Sequence, residues 1–115
     1  MENYTKCYNK SMKIGIIISQ KDPETVWNAF RLANFSLNKN HTVQVFLINK
    51  GVECREIESQ HFNVKEQIDK FIEIGGKIFA CGTCLKFRKK EGVCPLSTME
   101  DLLGIIEESD KILSF

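Results

Sequence analysis

Short apolar runs alternate along this chain with stretches whose apolar positions recur every three or four residues. Lys13 to Ser19 holds Ile14, Ile16, Ile17 and Ile18, a β-branched run that predicts a strand covered on both faces of a parallel sheet. Gly15 inside it predicts close packing by a neighbour. Asp22, Pro23 and Glu24 then have the N-cap, first-position and first-turn chemistry of a helix start. Val26, Phe30, Ala33 and Leu37 follow at helical spacing as its buried stripe, with Trp27 beside them. Thr42 to Asn49, carrying Val43, Val45, Phe46, Leu47 and Ile48, predicts a second buried strand that Gly51 ends. Residues 52–62 are mixed and read as a turn or short helix.

Asn63 and Glu66 have capping-box spacing at the start of a second helix, whose stripe is Val64, Ile68, Phe71 and Ile72 and whose stop is Gly75-Gly76. Lys77 to Ala80 is a third strand. Ser97 and Glu100 form another capping-box pattern ahead of Met99, Leu102, Leu103 and Ile106, and Lys111 to Phe115 closes the chain as a strand.

This alternation predicts an α/β, three-layer, flavodoxin-like domain: a mainly parallel sheet of four to five strands with helices on both faces. The fifth strand would be Val93 to Leu96, which Pro95 confines to an edge. A flavodoxin-like order of 2-1-3-4 makes the first and third strands neighbours. Ser19-Gln20 and Cys81-Gly82 then meet at the switch point, where open α/β sheets handle ligands. Residues 1–12 are polar, lack a period and read as a loosely ordered extension ahead of one domain at residues 13–115.

Composition narrows the function more than it names one. With 115 residues the chain suffices for one core, and 43% hydrophobic against 27% charged residues is the balance of a soluble globular protein. The net charge of +1 predicts nothing about partners, and the one local basic excess, Lys86, Arg88, Lys89 and Lys90 against Glu91, reads as a solvated helix face, so no nucleic-acid partner is expected. There is no signal-peptide pattern and no apolar stretch near the roughly 20 residues of a membrane span, so the expected location is cytoplasmic, with no membrane partner. In that reducing compartment an odd count of 5 cysteines points away from a disulfide framework and toward redox, nucleophilic or metal use.

Chemistry concentrates between residues 78 and 97, which hold Cys81, Cys84 and Cys94 together with Lys86, Arg88, Lys89 and Lys90. A strand ending at Cys81 and a helix starting near Cys84 place two thiols of a C-x-x-C motif beside helix-end amides and positive charge. Thiolate is the reactive form of cysteine, and such surroundings pull an ordinary pKa of about 8.5 down to roughly 7 or below. Cys81, Cys84 and Cys94 are therefore the candidate catalytic residues. Gly82, which admits close backbone approach, Thr83, which could cap the helix, Lys86 and Arg88 are the candidate anion-stabilising ones. The competing reading makes Cys81 a small strand-end residue packed under the next helix. Cys54, His41 and His61 have no spacing that gives them a task.

The segments Asn28 to Asn34, Val43 to Leu47, Gly51-Val52-Glu53, Ala80-Cys81-Gly82-Thr83-Cys84-Leu85 and Ser109 to Leu113 resemble, in order and spacing, the DsrE/DsrF-like family. The resemblance covers residues 13–115. Its Cys-Gly-Thr-Cys-Leu piece is similar to the branch found as the C-terminal domain of YedF-type proteins. It implies a flavodoxin-like fold, homo-oligomers (trimers or hexamers), and sulfur relay through a persulfide on the cysteine after the third strand, here Cys81. A protein sulfur donor and a protein acceptor would be the partners, and the activity would be sulfurtransferase-like carriage rather than multi-turnover catalysis. Cys84 and Cys94 depart from the one-thiol pattern of many members.

Three functions compete. The first is this sulfur carrier, needing no cofactor and no metal. The second is a dithiol redox or sensing module built on Cys81 and Cys84. The third is a structural zinc site of Cys81, Cys84 and Cys94 with Cys54 or a histidine, for which one C-x-x-C is half the required signal. Flavin binding is weaker, because Ser19 to Glu24 lacks a glycine-rich phosphate cradle.

Overall fold

In a computed structural model, which describes residues 11–90 and 96–115, the strands are β1 (Lys13–Ile18), β2 (Thr42–Leu47), β3 (Lys77–Cys81), β4 (Leu96–Ser97) and β5 (Lys111–Ser114). The helices are α1 (Pro23–Asn38), α2 (Val64–Glu73), α3 (Gly82–Phe87) and α4 (Met99–Glu108), and a 3-10 segment, Asn49–Glu56, follows β2. All strand pairings are parallel, and the order is β4-β3-β2-β1-β5. The architecture is a three-layer, flavodoxin-like α/β fold. The expected extension over residues 1–12 lies mostly outside the described residues, as does most of the extended piece expected over Val93 to Leu96; its last residue, Leu96, opens the edge strand β4, which runs on to Ser97.

Helix starts follow the capping chemistry. Asp22 caps α1 by accepting from the Thr25 N–H at 3.0 Å, with Pro23 as the first helical residue. Asn63 caps α2 through the Glu66 N–H at 3.1 Å, and Gly75 ends it at φ +103°, a left-handed value that glycine adopts freely. The start of α4 is one residue later than its sequence pattern suggests. Thr98 accepts from the Asp101 N–H and Asp101 accepts from the Thr98 N–H, closing a reciprocal box in place of Ser97 and Glu100. Ser97 is instead paired with Cys81 across β3 and β4.

The strand order corrects the expected 2-1-3-4. Helices α1 and α2 pack on each other: the Phe30 and Phe71 rings meet edge to face at 5.6 Å, and the Asn34 amide donates to the Gln67 carbonyl at 3.1 Å. Two right-handed crossovers on one face must step in the same direction, so β3 lies beyond β2 rather than beside β1. Helix α4 takes the other face, because Gly15 leaves room there. A Cβ at Gly15 would sit 2.7 Å from Ile112 and 3.0 Å from Ile105. That crossover runs the opposite way and delivers β5 to the free side of β1.

The reversal of direction therefore lies between β1 and β5, and it is closed. The Ser19 N–H and hydroxyl both donate to the Phe115 carbonyl, at 2.9 and 3.1 Å. The core sits mainly between the sheet and the α1/α2 pair, where Ile14, Ile16, Ile18, Val26, Phe30, Val45, Leu47, Ile68 and Phe71 are buried. Cys81 is thus positioned not by a switch point but by the carboxyl end of β3, between β2 and β4.

Candidate functional site

Cys81 is both the last residue of β3 and the N-cap of α3, with extended backbone (φ −56°, ψ 116°) and no side-chain cap bond. Thr83 accordingly is not the cap; it stands exposed in the first turn. Helix α3 is short and anchored by Leu85, which is fully buried. Arg88 caps its C-terminus, and Lys89 turns the chain away at φ 55°. Gly82 is buried, and a Cβ there would lie 3.2 Å from the Ser97 carbonyl and 3.4 Å from Leu96. The close approach it permits is to β4.

The 3-10 segment supplies the rest of the site. Gly51 presses it onto the end of β1: the Ile48 N–H donates to the Ile18 carbonyl at 3.0 Å, and a Cβ on Gly51 would fall 2.1 Å from that same oxygen. Asn49, next to this contact, adopts a left-handed φ of 54°, a conformation asparagine tolerates better than most residues. Its N–H thereby points at the Cys84 sulfur, 3.3 Å away. One turn on, Glu53 accepts from Arg88 Nε at 2.6 Å and from Lys21 Nζ at 3.2 Å. Arg88 also donates to the Cys84 carbonyl at 3.3 Å. Glu53 so ties together the loop after β1, the segment after β2 and the helix after β3, and Lys90 adds a contact to Glu56 at 2.8 Å.

The electrostatics differ from the sequence expectation. Burial pushes the Cys84 thiol above its ordinary value, and contact with the Cys81 side chain adds to that; the Asn49 N–H and the Arg88 charge act the other way and are outweighed. Arg88 is weakened in this role because its guanidinium is shared with Glu53, whose carboxyl is held below the ordinary value chiefly by Arg88 and then by Lys21. Cys84 is therefore a protonated thiol at neutral pH, not the lowered-pKa thiolate that helix-end amides and cations suggested.

Cys81 and Cys84 are both unbridged and in contact. Cys81 is 4% exposed, whereas Cys84 is partly exposed. Lys86 is exposed in the last turn of α3. Cys94 lies outside the described residues. Cys54 is in the core, 1% exposed. Among the described residues no group of three or more His, Cys, Asp or Glu is placed to hold a metal. A cleft of about 260 Å³ lined by Lys13, Thr42 and Lys77 opens at the amino ends of the strands, opposite the thiols. The partners that spacing did not reveal are Asn49, Glu53 and Lys21. Asn49 was read as the last residue of the second strand and Gly51 as its stop, and Glu53 lies in a segment that carries the family resemblance, but neither reading pointed to the thiols after β3.

The sequence profile of the DsrE/DsrF-like family matches residues 12–115. The chain belongs to the DsrE/DsrF-like family. Similar relatives are an uncharacterized protein of Methanocaldococcus jannaschii, 32% identical over 90% of this chain and 100% of its own length, and an uncharacterized protein of Methanopyrus kandleri, 33% identical over 89% and 93%. A conserved protein of unknown function from Bacteroides thetaiotaomicron shares the fold with a TM-score of 0.75 at 21% identity, over 90% of this chain and 94% of that one. Membership in the DsrE/DsrF-like family associates the chain with sulfur relay in general terms, and hence with protein partners. Among the described residues no helix is long and apolar enough to cross a membrane.

Proposed function

We propose that this DsrE/DsrF-like protein is a sulfur carrier that holds sulfane sulfur as a persulfide on Cys81. The observation that supports this most is the thiol pair itself: Cys81 at a strand end, in contact with a protonated Cys84 whose sulfur is held by the Asn49 N–H. In the loading step the Cys81 thiolate attacks the outer sulfur of a donor protein's persulfide; the donor leaves as a thiol and Cys81 gains one sulfur. In the unloading step an acceptor thiolate attacks that same outer sulfur and Cys81 returns to a thiolate. Both steps are substitutions at sulfur and need no external oxidant or reductant.

A persulfide anion on Cys81 needs hydrogen-bond donors, and the Cys84 S–H is one at neutral pH. The first amides of α3, at Gly82 and Thr83, have no acceptor within the helix, and Lys86 and Arg88 supply positive charge at its far end. Cys94 would be a third thiol for transfer, and a trimer or hexamer with cytoplasmic location completes the proposal. The test is transfer of radiolabelled sulfur from a persulfidated donor protein to this chain and then to an acceptor thiol. Label should be retained by the wild type and lost in Cys81→Ser; equal labelling of both would remove Cys81 from the role.

A second reading, a dithiol redox module, is favoured by the contact between Cys81 and Cys84. A measured dithiol potential far below the cytosolic poise would leave that reading without a switch.

A further inference from the structure

A persulfide offers two sulfurs to an attacking thiolate, and the outcome depends on which is hit. Attack on the outer sulfur transfers it, whereas attack on the inner sulfur forms a disulfide and expels hydrosulfide. Burial separates these reactions here. Cys81 is 4% exposed, so an incoming thiol has far less access to its sulfur than Cys84, whose side chain already touches it. The Cys84 side chain is the described thiol in contact with Cys81, on the first turn of the helix that Cys81 caps.

Building on the carrier reading, we infer that the protein has a second activity, release of hydrogen sulfide, in which Cys84 attacks the inner sulfur of a Cys81 persulfide. The Cys84 thiolate bonds to Cys81 Sγ, the bond from Cys81 Sγ to the outer sulfur breaks, and the outer sulfur leaves with the electron pair as hydrosulfide. The proton given up by Cys84 balances the one hydrosulfide takes. The outer sulfur is reduced and the two cysteines are oxidised to a Cys81–Cys84 disulfide, which an external dithiol reductant returns to two thiols.

The surroundings of Cys84 set when this happens. The proton on Cys84 holds the step back at neutral pH, so a docked acceptor has time to take the outer sulfur; the Asn49 N–H at 3.3 Å is placed to steady the thiolate once it forms. The carrier and the releasing activity are then alternatives at one site, divided by whether an acceptor arrives first.

The experiment loads reduced wild type and Cys84→Ser anaerobically with glutathione persulfide, removes the excess by desalting, and follows sulfide with a fluorescent bimane while the cysteine peptides are read by mass spectrometry. Wild type should release sulfide and accumulate the Cys81–Cys84 disulfide from neutral to mildly alkaline pH. Cys84→Ser should retain its persulfide across the same range. Equal release from both proteins, or a loaded wild type that keeps its persulfide as long as the variant, overturns the inference and leaves the carrier reading standing. Failure of both proteins to load overturns the carrier reading and this step with it.

Discussion

Replacing Gly51 by alanine should damage both the fold and the site, and the structure sets the size of the effect. The added Cβ would lie 2.1 Å from the Ile18 carbonyl oxygen, 2.8 Å from its carbon and 3.3 Å from the Ser19 nitrogen, all backbone atoms. Ile18 is fully buried in a central strand and cannot retreat, so the 3-10 segment must lift by roughly 1 Å to reach an ordinary contact. Lifting breaks the 3.0 Å bond from the Ile48 N–H to that carbonyl, costing about 1 kcal/mol, and loosens Val52 and Cys54, which are 5% and 1% exposed. Part of the roughly 1.5–3 kcal/mol that each buried apolar side chain contributes is lost as well, for a total near 3 kcal/mol.

Urea unfolding should show that loss, and the thermal midpoint should fall by about 10–20 °C. The lifted segment also withdraws the Asn49 N–H from Cys84, so the variant's Cys84 should titrate higher still. Gly104→Ala is the control: it lies in the interior of α4 with nothing within 4 Å of the new Cβ, and should stabilise by up to about 1 kcal/mol. A Gly51→Ala protein within about 0.5 kcal/mol of wild type would refute the close contact on which the site rests.

Glu53→Gln should destabilise by about 1 kcal/mol at neutral pH, since it removes the carboxylate shared by Arg88 and Lys21. Because the folded-state value of Glu53 is depressed, this contribution is complete above the ordinary 4.5 and fades as pH falls through the folded value; paired unfolding curves against pH should therefore converge in acid. Peptide-resolved alkylation with iodoacetamide should give Cys84 a midpoint above that of an ordinary thiol, and Cys81→Ala should lower it by removing the neighbouring thiol; a wild-type midpoint at or below that of the same cysteine in the unfolded chain contradicts the burial argument. Asn34→Ala should cost about 1–3 kcal/mol in urea unfolding, because the Gln67 carbonyl between α1 and α2 loses its 3.1 Å donor; an unchanged midpoint would mean that water replaces it.

The strands were legible because their apolar runs are continuous, and the helices because Asp22, Asn63 and the stripes behind them follow capping and 3.6-residue rules. The order of the strands was not, for the same reason that made them visible: a run apolar on both faces does not say which face each helix will cover. Gly15 was the local clue, since only its side of β1 admits α4 closely, but reading it required knowing which neighbour would come. At the site the C-x-x-C motif announced two thiols, yet their surroundings come from Asn49 and Glu53, each bonded to α3 across 35 residues. Nothing periodic marks that 3-10 segment, and its left-handed asparagine matters only after Gly51 has pinned it to β1. The sign of the Cys84 shift was hidden too, because sequence shows the cations but neither the burial nor the carboxylate that occupies Arg88.

The carrier account stands most directly on where the sulfur is held. Lys77 and Lys86 bracket Cys81 and Cys84 in a single tryptic peptide, so fragmentation between Gly82 and Thr83 assigns an added sulfur to one cysteine or the other. After a brief incubation of reduced protein with a persulfidated donor at neutral pH, alkylation and fragmentation should find one extra sulfur on the fragment that ends at Gly82 and carries Cys81. An extra sulfur found only on the fragment carrying Cys84, or on neither, would contradict the account.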